Sequence, residues 1–259
     1  MIPKTIFYIW FGDKPLPQQY KQYIKGWANL NPDFEIKCIN ERNFDVNKYR
    51  FTKEAYKAKK WAFVSDVARL ETIYKYGGIY LDTDVELKKS LHSLLNYQSV
   101  WALENSDSIA SGLIIGANKG DKNIKEILDI YENLSFNHPN GKKIVTVPLI
   151  SQYFLKKGFK RKNKKQILED GTLILPTEYF APYHYWGGGH VTSKTIGIHK
   201  YASSWVDVKK PTFFSKEGIK SEIKLHFPTV YFSLKKIVKK KGKLGHAEKK
   251  SGTYYSLFW

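Results

Sequence analysis

The chain has 259 residues and a mass of 30.1 kDa, the size of one large domain with room for a small extension. Hydrophobic residues make up 42% of it and charged residues 26%, which excludes disordered and fibrous proteins, and no apolar run reaches the roughly 20 residues of a membrane-spanning helix. Lys and Arg number 43 against 24 Asp and Glu, and the net charge of +19 attracts polyanions, whether nucleic acid, anionic lipid or phosphorylated substrates.

The first third of the chain predicts strands that alternate with helices. Apolar, β-branched and aromatic runs bounded by turn residues indicate strands, and apolar positions three and four apart indicate helices. The helix that ends at Tyr76 is followed by Gly77 and Gly78, which supply a left-handed stop. In chain order we expect a strand at 4–11, a helix at 18–30, a strand at 34–40, a helix at 59–76 and a short strand at 79–81.

The rest of the chain continues the alternation and then loses it. Strands are expected at 99–104 and 112–117, and helices at 121–134 and 147–157. Alternating strands and helices predict an α/β fold, which we assign to residues 1–209. Residues 210–259 are predicted to form a helical, basic and aromatic-rich extension packed on that domain.

The number of cysteines and the pattern of the N-terminus indicate in which cellular compartment the protein works. Cys38 is the single cysteine, so it cannot form an intrachain disulfide or a thiolate metal cage. The apolar stretch at the N-terminus is short, is interrupted by Pro3 and lacks a small-residue cleavage site, so we expect no signal peptide. A reducing, cytoplasmic setting is expected.

Two acidic residues follow the short strand at 79–81. Residues two apart on a strand share one face at roughly 7 Å, so Asp82 and Asp84 can converge on one divalent cation. Carboxylate oxygens suit Mg²⁺ or Mn²⁺, with other positions left to water and diphosphate oxygens. An isolated Asp-x-Asp is more often a solvated turn, and that alternative stays open from spacing alone.

A second charged pair lies on the preceding helix. Asp66 and Arg69 are three residues apart, on one side of the helix and beside its apolar stripe. A carboxylate and a guanidinium held together can hydrogen-bond sugar hydroxyls. From spacing alone, an ordinary intrahelical ion pair worth a few tenths of a kcal/mol is the favoured alternative.

Together these segments resemble a known family. The blocks IPKTIFYIWFG at 2–12, AFVSDVAR at 62–69 and YGGIYLDTD at 76–84 closely resemble the DXD-containing sugar transferases. That family groups capsular polysaccharide transferases with the yeast initiating mannosyltransferase and, more distantly, the large clostridial glucosylating toxins. The resemblance implies a GT-A (Rossmann-like) fold, a nucleotide-sugar donor, a divalent metal and retention of anomeric configuration.

A later block, TIGIHKYASSW at 195–205, is a looser match, because Lys200 stands where many relatives carry a second His or another residue. The resemblance assigns roles to eight residues, all of them expectations. Trp10 would stack on the base, Asp66 and Arg69 would hold ribose or sugar, Asp82 and Asp84 would contact ribose and metal, His199 would be a third metal ligand, and Ser204 and Trp205 would flank the diphosphate. For Trp10 the alternative is core packing, and for His199 it is a surface or structural role.

The resemblance and the charge together suggest the substrates. We expect Mn²⁺ or Mg²⁺ as cofactor, a UDP-sugar as donor and front-face attack, because the sequence singles out no carboxylate nucleophile. The acceptor is expected to be a glycan or a polyprenyl-diphosphate-linked intermediate of surface polysaccharide synthesis. A basic amphipathic helix at 229–241 predicts peripheral attachment to anionic lipid on the inner face of the cell membrane, with a solvated helix face as the alternative.

Three other classes compete with a transferase. A nucleic-acid-binding protein would suit the charge, but the chain shows no zinc-knuckle cysteines or RNA-binding strand signature, so no nucleic acid partner is expected. A sugar nucleotidyltransferase would carry an N-terminal Gly-rich phosphate loop, whereas only Gly12 follows the first strand. A lectin-like module would bind sugar without cleaving a nucleotide sugar.

Overall fold

A computed structural model describes residues 1–137, 145–202 and 211–242, with the side chains of the last helix described to residue 237. The helices are α1 (Gln18–Leu30), α2 (Arg50–Lys57), α3 (Trp61–Tyr76), α4 (Lys122–Glu132), α5 (Thr146–Lys156), α6 (Lys216–His226) and α7 (Pro228–Gly242). The strands are β1 (Thr5–Ile9), β2 (Glu35–Ile39), β3 (Gly78–Tyr80), β4 (Val85–Leu87), β5 (Ser99–Asn105), β6 (Ser108–Ile109), β7 (Ile115–Ala117), β8 (Gln166–Ile167), β9 (Thr172–Leu175) and β10 (Gly197–His199).

A mixed sheet occupies the centre of the described residues. Its strand order is β2-β1-β3-β7-β5-β9-β8, and β6 pairs with β5 beside this path. Strand β1 runs parallel to both β2 and β3, and β5 runs parallel to β9, while β7 joins the two groups in antiparallel pairing. Strands β4 and β10 form a separate antiparallel pair.

Helices cover both faces of the central sheet. Neighbouring residues of a strand point to opposite faces, and Ile6 and Phe7 of β1 accordingly belong to different hydrophobic clusters. The Phe7 cluster includes buried residues of α2, α3, α4 and α5, and the Ile6 cluster includes Trp27 of α1. This three-layer arrangement confirms the predicted α/β class.

The predicted elements agree well with the observed ones. Helix α1 has the predicted bounds, and β1, β2, α3, β5, β7, α4 and α5 lie within a few residues of their expected positions. Strands β4 and β10 were not predicted, because three residues are too few to show a period. Helix α2 was also missed, since eight residues make little more than two turns.

The chain after residue 210 is helical where it is described, as predicted. Helix α7 matches the expected helix at 229–241. Among the described residues, no helix combines the length and apolar content needed to cross a bilayer. The predicted domain boundary at residues 209 and 210 lies outside the described residues, so it stays a prediction.

Helix α1 fixes the segment that follows β3. The indole N–H of buried Trp27 donates to the carbonyl of Val85 at 2.8 Å, which ties α1 to β4. Asn31 at the C-terminal end of α1 is fully buried, and its side-chain oxygen accepts the backbone N–H of Leu91 at 2.8 Å. These bonds hold the chain on both sides of β4 in place.

The Asn31→Ala variant tests this anchor. It leaves the buried N–H of Leu91 without its acceptor, so the free energy of unfolding should fall by about 1–3 kcal/mol in a urea titration. Asn133 also ends a helix but is exposed, and Asn133→Ala should change the free energy of unfolding by less than about 0.5 kcal/mol. Equal losses in both variants would contradict the anchor.

Candidate active site

Two glycines at the start of β3 place the acidic residues at the end of the strand. Gly77 and Gly78 have φ values of 68° and 106°, a region that L side chains rarely adopt. A Cβ at Gly77 would lie 2.7 Å from the backbone nitrogen of Lys119, and one at Gly78 would lie 2.8 Å from the carbonyl oxygen of Thr5. The chain can therefore turn from α3 directly into the sheet and deliver Asp82 just beyond the end of β3.

Two carboxylates and one imidazole meet beyond this strand. Asp82, Asp84 and His199 each offer a ligand atom, and these atoms all lie within 4.8 Å of one another. The Nε2 atom of His199 is 3.2 Å from Oδ1 of Asp84 and 3.8 Å from Oδ2 of Asp82. The antiparallel pairing of β4 with β10 sets His199 opposite Val85 and so beside Asp84. We call these three residues the acidic cluster.

The acidic cluster is electrostatically coupled. Burial lowers the pKa of His199, but the hydrogen bonds and charges of Asp82 and Asp84 outweigh it and raise this pKa to about 9. Burial alone would raise the pKa of Asp84. The hydrogen bond and charge of His199 and the backbone N–H of Ala202 outweigh burial, so the pKa of Asp84 is lowered. The N–H of Ala202 donates to Oδ2 of Asp84 at 2.9 Å. Asp84 is therefore held as a carboxylate.

Asp82 is oriented from its other side. The hydroxyl of Tyr80 donates to Oδ1 of Asp82 at 2.5 Å, and the guanidinium of Arg69 lies 3.5 Å from the same oxygen. The Arg69 guanidinium also lies over the Tyr80 ring, 4.9 Å from its centroid. A Cβ at Gly112 would overlap Oδ2 of Asp82, so this position has room only for glycine. Tyr80, Arg69 and Gly112 thus fix the rotamer of Asp82.

Asp66 and Arg69 face each other on one side of α3, as their spacing indicated, and the structure places the pair beside the acidic cluster. Arg69 is buried and its guanidinium is 3.3 Å from Oδ1 of Asp66, so it links that carboxylate to Asp82. Burial raises the pKa of Asp66 to about 6, although the charge of Arg69 and a hydrogen bond with Thr146 oppose the shift. The pair is therefore an intrahelical ion pair and part of the same polar site.

A cavity of about 540 Å³ opens at the ends of β1 and β2. Trp10 is half-buried and lines it together with Tyr8, Asn40 and Tyr56. The Trp10 indole donates to the carbonyl of Lys14 at 2.6 Å and packs edge-on against Tyr20, with the ring centroids 6.0 Å apart. The charge of Asp84 contributes, after burial, to a raised pKa of Tyr20. Tyr20 therefore contacts Trp10 and lies within range of the charge of Asp84.

The structure adds residues that sequence reasoning missed. Tyr201 packs edge-on against His199, with the ring centroids 4.4 Å apart, and so orients the imidazole. Glu104, near the end of β5, has a raised pKa because of burial, which the charge of His199 opposes. Tyr80 stands within the GGIYL run and could have been noticed there, whereas Gly112, Glu104 and Tyr201 carried no local signal. Ser204 and Trp205 lie outside the described residues, so their roles stay predictions.

The donor set of the acidic cluster fits a divalent cation. Two carboxylates and an imidazole are ligands for such ions, and three protein ligands leave positions for substrate oxygens. The Nδ1 atom of His199 is buried and has no hydrogen-bond partner within the described ranges, so a ring that coordinates through Nε2 would keep its proton there.

Comparisons with known proteins agree with this arrangement. Residues 17–101 match the family model described as "Glycosyltransferase sugar-binding region containing DXD motif". Inositol phosphoceramide mannosyltransferase 3 of Schizosaccharomyces pombe is 30% identical over 141 residues, covering 53% of this chain and 39% of that protein. Inositol phosphoceramide mannosyltransferase 2 of the same yeast is 31% identical over 121 residues, covering 45% of this chain and 34% of that protein.

A solved structure has a similar fold. PaToxG glycosyltransferase aligns with a TM-score of 0.50 and 21% identity, over 60% of this chain and 68% of that one. The expected resemblance to the DXD-containing sugar transferases is thereby confirmed for residues 17–101, and the expected GT-A fold is confirmed for the part of the chain that aligns. The chain spans about four tenths or less of the two yeast relatives.

The raised pKa of His199 predicts how cation binding depends on pH. Below about pH 9 the protonated ring competes with a cation, so the affinity for Mn²⁺ should rise with pH, by up to about tenfold per unit. Electron paramagnetic resonance titrations of Mn²⁺ from about pH 6 to about pH 9 measure this slope. The His199→Gln variant, which has no such proton, should show a flatter dependence. Identical slopes in the two proteins would contradict the role of His199.

Proposed function

We propose that this protein is a metal-dependent enzyme that transfers a hexose from a nucleotide sugar to a glycan acceptor, because residues 17–101 match the model of the sugar-binding region of the DXD glycosyltransferases. One observation carries the proposal. The acidic cluster lies just beyond β3, beside the Asp66–Arg69 pair, and Tyr20, which is within range of the charge of Asp84, packs against the Trp10 ring that lines the cavity. A cation, a sugar and a base thus each have a binding group in one polar region.

Asp82, Asp84 and His199 would hold the cation. An imidazole beside two carboxylates suits Mn²⁺ better than Mg²⁺, because Mg²⁺ takes oxygen ligands almost throughout. Once bound, the cation would supply positive charge to the departing nucleoside diphosphate. The side chains of Tyr80 and Arg69 keep Asp82 oriented while the substrate enters and leaves.

The cavity at the ends of β1 and β2 would take the nucleoside. The Trp10 indole is held by Lys14 and Tyr20, so its ring is pre-positioned for a base, and a planar stacking contact is worth about 1–3 kcal/mol. We keep a UDP-sugar as the favoured donor. The names of the yeast relatives add a mannose nucleotide to the donors that should be tested. Ser204 and Trp205, shortly after Ala202, remain the proposed diphosphate contacts.

Asp66 and Arg69 would hydrogen-bond hydroxyls of the donor's ribose or sugar. Both carboxylates next to Arg69, those of Asp66 and Asp82, lie within ion-pair distance of its guanidinium. That engagement makes them poor nucleophiles, which supports front-face attack and retention of configuration. In this mechanism the departing diphosphate helps to deprotonate the acceptor hydroxyl.

The acceptor is proposed to be lipid-linked. By name, the yeast relatives transfer mannose to inositol phosphoceramide, a lipid. A glycan on a polyprenyl diphosphate carrier would bring the enzyme to the inner face of the cell membrane, where its positive charge would be attracted to anionic lipid. Synthesis of a surface polysaccharide such as a capsule is the proposed setting.

The Asp84→Asn variant tests the proposed activity. Release of nucleoside diphosphate from a panel of UDP-sugars and mannose nucleotides is measured with Mn²⁺ and with a chelator. The wild-type protein should release diphosphate only with Mn²⁺, and Asp84→Asn should be slower by about 100-fold or more, because several kcal/mol of charge stabilisation are lost. Glu86→Gln is the matched control, because Glu86 is two residues further along the chain, on β4, but pairs with Lys88 and Lys200 instead. Full activity in Asp84→Asn would refute the proposal.

The Trp10→Ala variant tests the base site. Loss of one stacking contact should raise KM for the nucleotide sugar about tenfold to 100-fold, with kcat little changed. The Trp10→Phe variant, which keeps a flat ring, should restore most of the affinity. If Trp10 only packs in the core, Trp10→Ala will unfold at lower urea concentration with an unchanged KM.

A further inference from the structure

The two C-terminal helices expose an unusual amount of apolar surface. Eight of the fourteen large hydrophobic side chains that are exposed among the described residues lie between positions 213 and 237. Phe227 is 64% exposed, Leu234 is 56% exposed and Val230 is 54% exposed. An apolar patch of this kind on a soluble surface marks a place that contacts another apolar surface.

The exposed residues share one side of each helix. On α6 they recur every four residues, and on α7 they recur at spacings of four and three, which is one face of a helix in each case. We call this set the outward face: Ile219, Ile223 and Phe227 from α6 with its C-terminal cap, and Val230, Leu234 and Ile237 from α7.

The opposite sides of the helices are anchored to the α/β domain. Leu225 of α6 is buried, and the carbonyl of Lys224 accepts the hydroxyl of Ser106 at 2.7 Å. On α7, the ring of Phe232 lies under the guanidinium of Arg161, 4.7 Å from its carbon. Because the opposite sides of both helices contact the α/β domain, the outward face points away from that domain.

The charges around the outward face have one dominant sign. Residues 216–242 contain eight lysines and two glutamates, and α7 contains no acidic residue. Glu222 accepts the indole N–H of Trp186 at 2.8 Å and lies 3.1 Å from His226, so its carboxylate is engaged by other residues of the protein. Apolar side chains beside lysines are typical of helices that lie in the interface of an anionic bilayer.

We propose that the outward face docks on an anionic lipid bilayer and inserts its apolar side chains among the headgroups. The lysines favour a bilayer over another protein as the partner. An uncharged apolar protein surface would gain nothing from the lysines, whereas anionic lipid headgroups attract them. The inference deepens the proposed function and rests on it for its purpose, which is to hold the enzyme where a lipid-linked acceptor resides.

A chain of ring contacts connects α6 with the acidic cluster. Trp186, held by Glu222, packs edge-on against Tyr185 at 5.3 Å between ring centroids. Tyr185 lies 6.2 Å from Tyr201, and Tyr201 lies 4.4 Å from His199. Docking through α6 would therefore bring the metal-binding side of the domain close to the bilayer.

Vesicle sedimentation with the full chain tests the docking surface. The vesicles contain phosphatidylcholine and phosphatidylglycerol in a ratio of roughly two to one, and a parallel set contains phosphatidylcholine alone. The wild-type protein should sediment with the anionic vesicles and stay in solution with the neutral ones. The double variant Val230→Ser/Ile237→Ser keeps every lysine and should bind the anionic vesicles roughly tenfold more weakly.

The matched control is the double variant Val191→Ser/Ile167→Ser, which removes an exposed valine and an exposed isoleucine elsewhere on the surface. It should bind as the wild type does, and circular dichroism should show that both variants are folded. Wild-type protein that stays in solution with anionic vesicles would overturn the inference. Equal binding of the two double variants would show adsorption by charge alone and would also overturn it.

Two further measurements separate the alternatives. Size-exclusion chromatography tests whether the outward face binds a second copy of the chain. Lipid docking would be refuted if the wild-type protein is a dimer that does not bind vesicles and Val230→Ser/Ile237→Ser makes it a monomer. Diphosphate release from nucleotide sugars without vesicles should be the same in both double variants and in the wild type. Absence of that release in all three proteins would refute the proposed function, while the vesicle result would stand independently.

Discussion

The site depends on the repulsion between two carboxylates that the turn between β3 and β4 brings to the same place. Asp82 and Asp84 face positive charge from two directions, since Arg69 lies against one and the protonated His199 ring lies between both. The raised pKa of His199 is a direct consequence of this repulsion, because a proton on the ring relieves it. A divalent cation would relieve it more strongly and displace the proton. Much of the surrounding structure, from Gly78 to Tyr80 and Gly112, serves to hold the two carboxylates in that arrangement.

Site residues that are close together in the sequence could be predicted as pairs, whereas contacts between distant segments could not. Asp66 and Arg69 are three residues apart, so the period of a helix brings them together. Asp82 and Asp84 are two residues apart and meet in the turn between β3 and β4, where their closeness along the chain is enough. His199 could be proposed only from the family resemblance, because its position is set by the pairing of β10 with β4. Gly112 is required by a contact with Asp82 that no local pattern shows.

For the C-terminal helix α7, the sequence predicted the apolar stripe but not the direction in which the stripe faces. The periodicity of α7 predicted both the helix and its apolar stripe, since the spacing of apolar residues depends only on helix geometry. The direction in which the stripe faces depends on the contact between the guanidinium of Arg161 and the ring of Phe232, which are far apart in the sequence. Sequence patterns thus define the faces of an element, and tertiary contacts decide which face is covered. In this protein the covered face carries Phe232, and the apolar stripe remains available for a partner.

The proposed activity requires a cation bound between Asp82, Asp84 and His199 that carries the diphosphate of the donor. Anomalous diffraction from crystals grown with Mn²⁺ and UDP measures this directly, because manganese scatters anomalously and the protein and nucleotide scatter far less. We expect one manganese peak within bonding distance of all three side chains and of diphosphate oxygens, with uracil against Trp10. A peak elsewhere, or nucleotide bound with no manganese between these residues, would contradict the account.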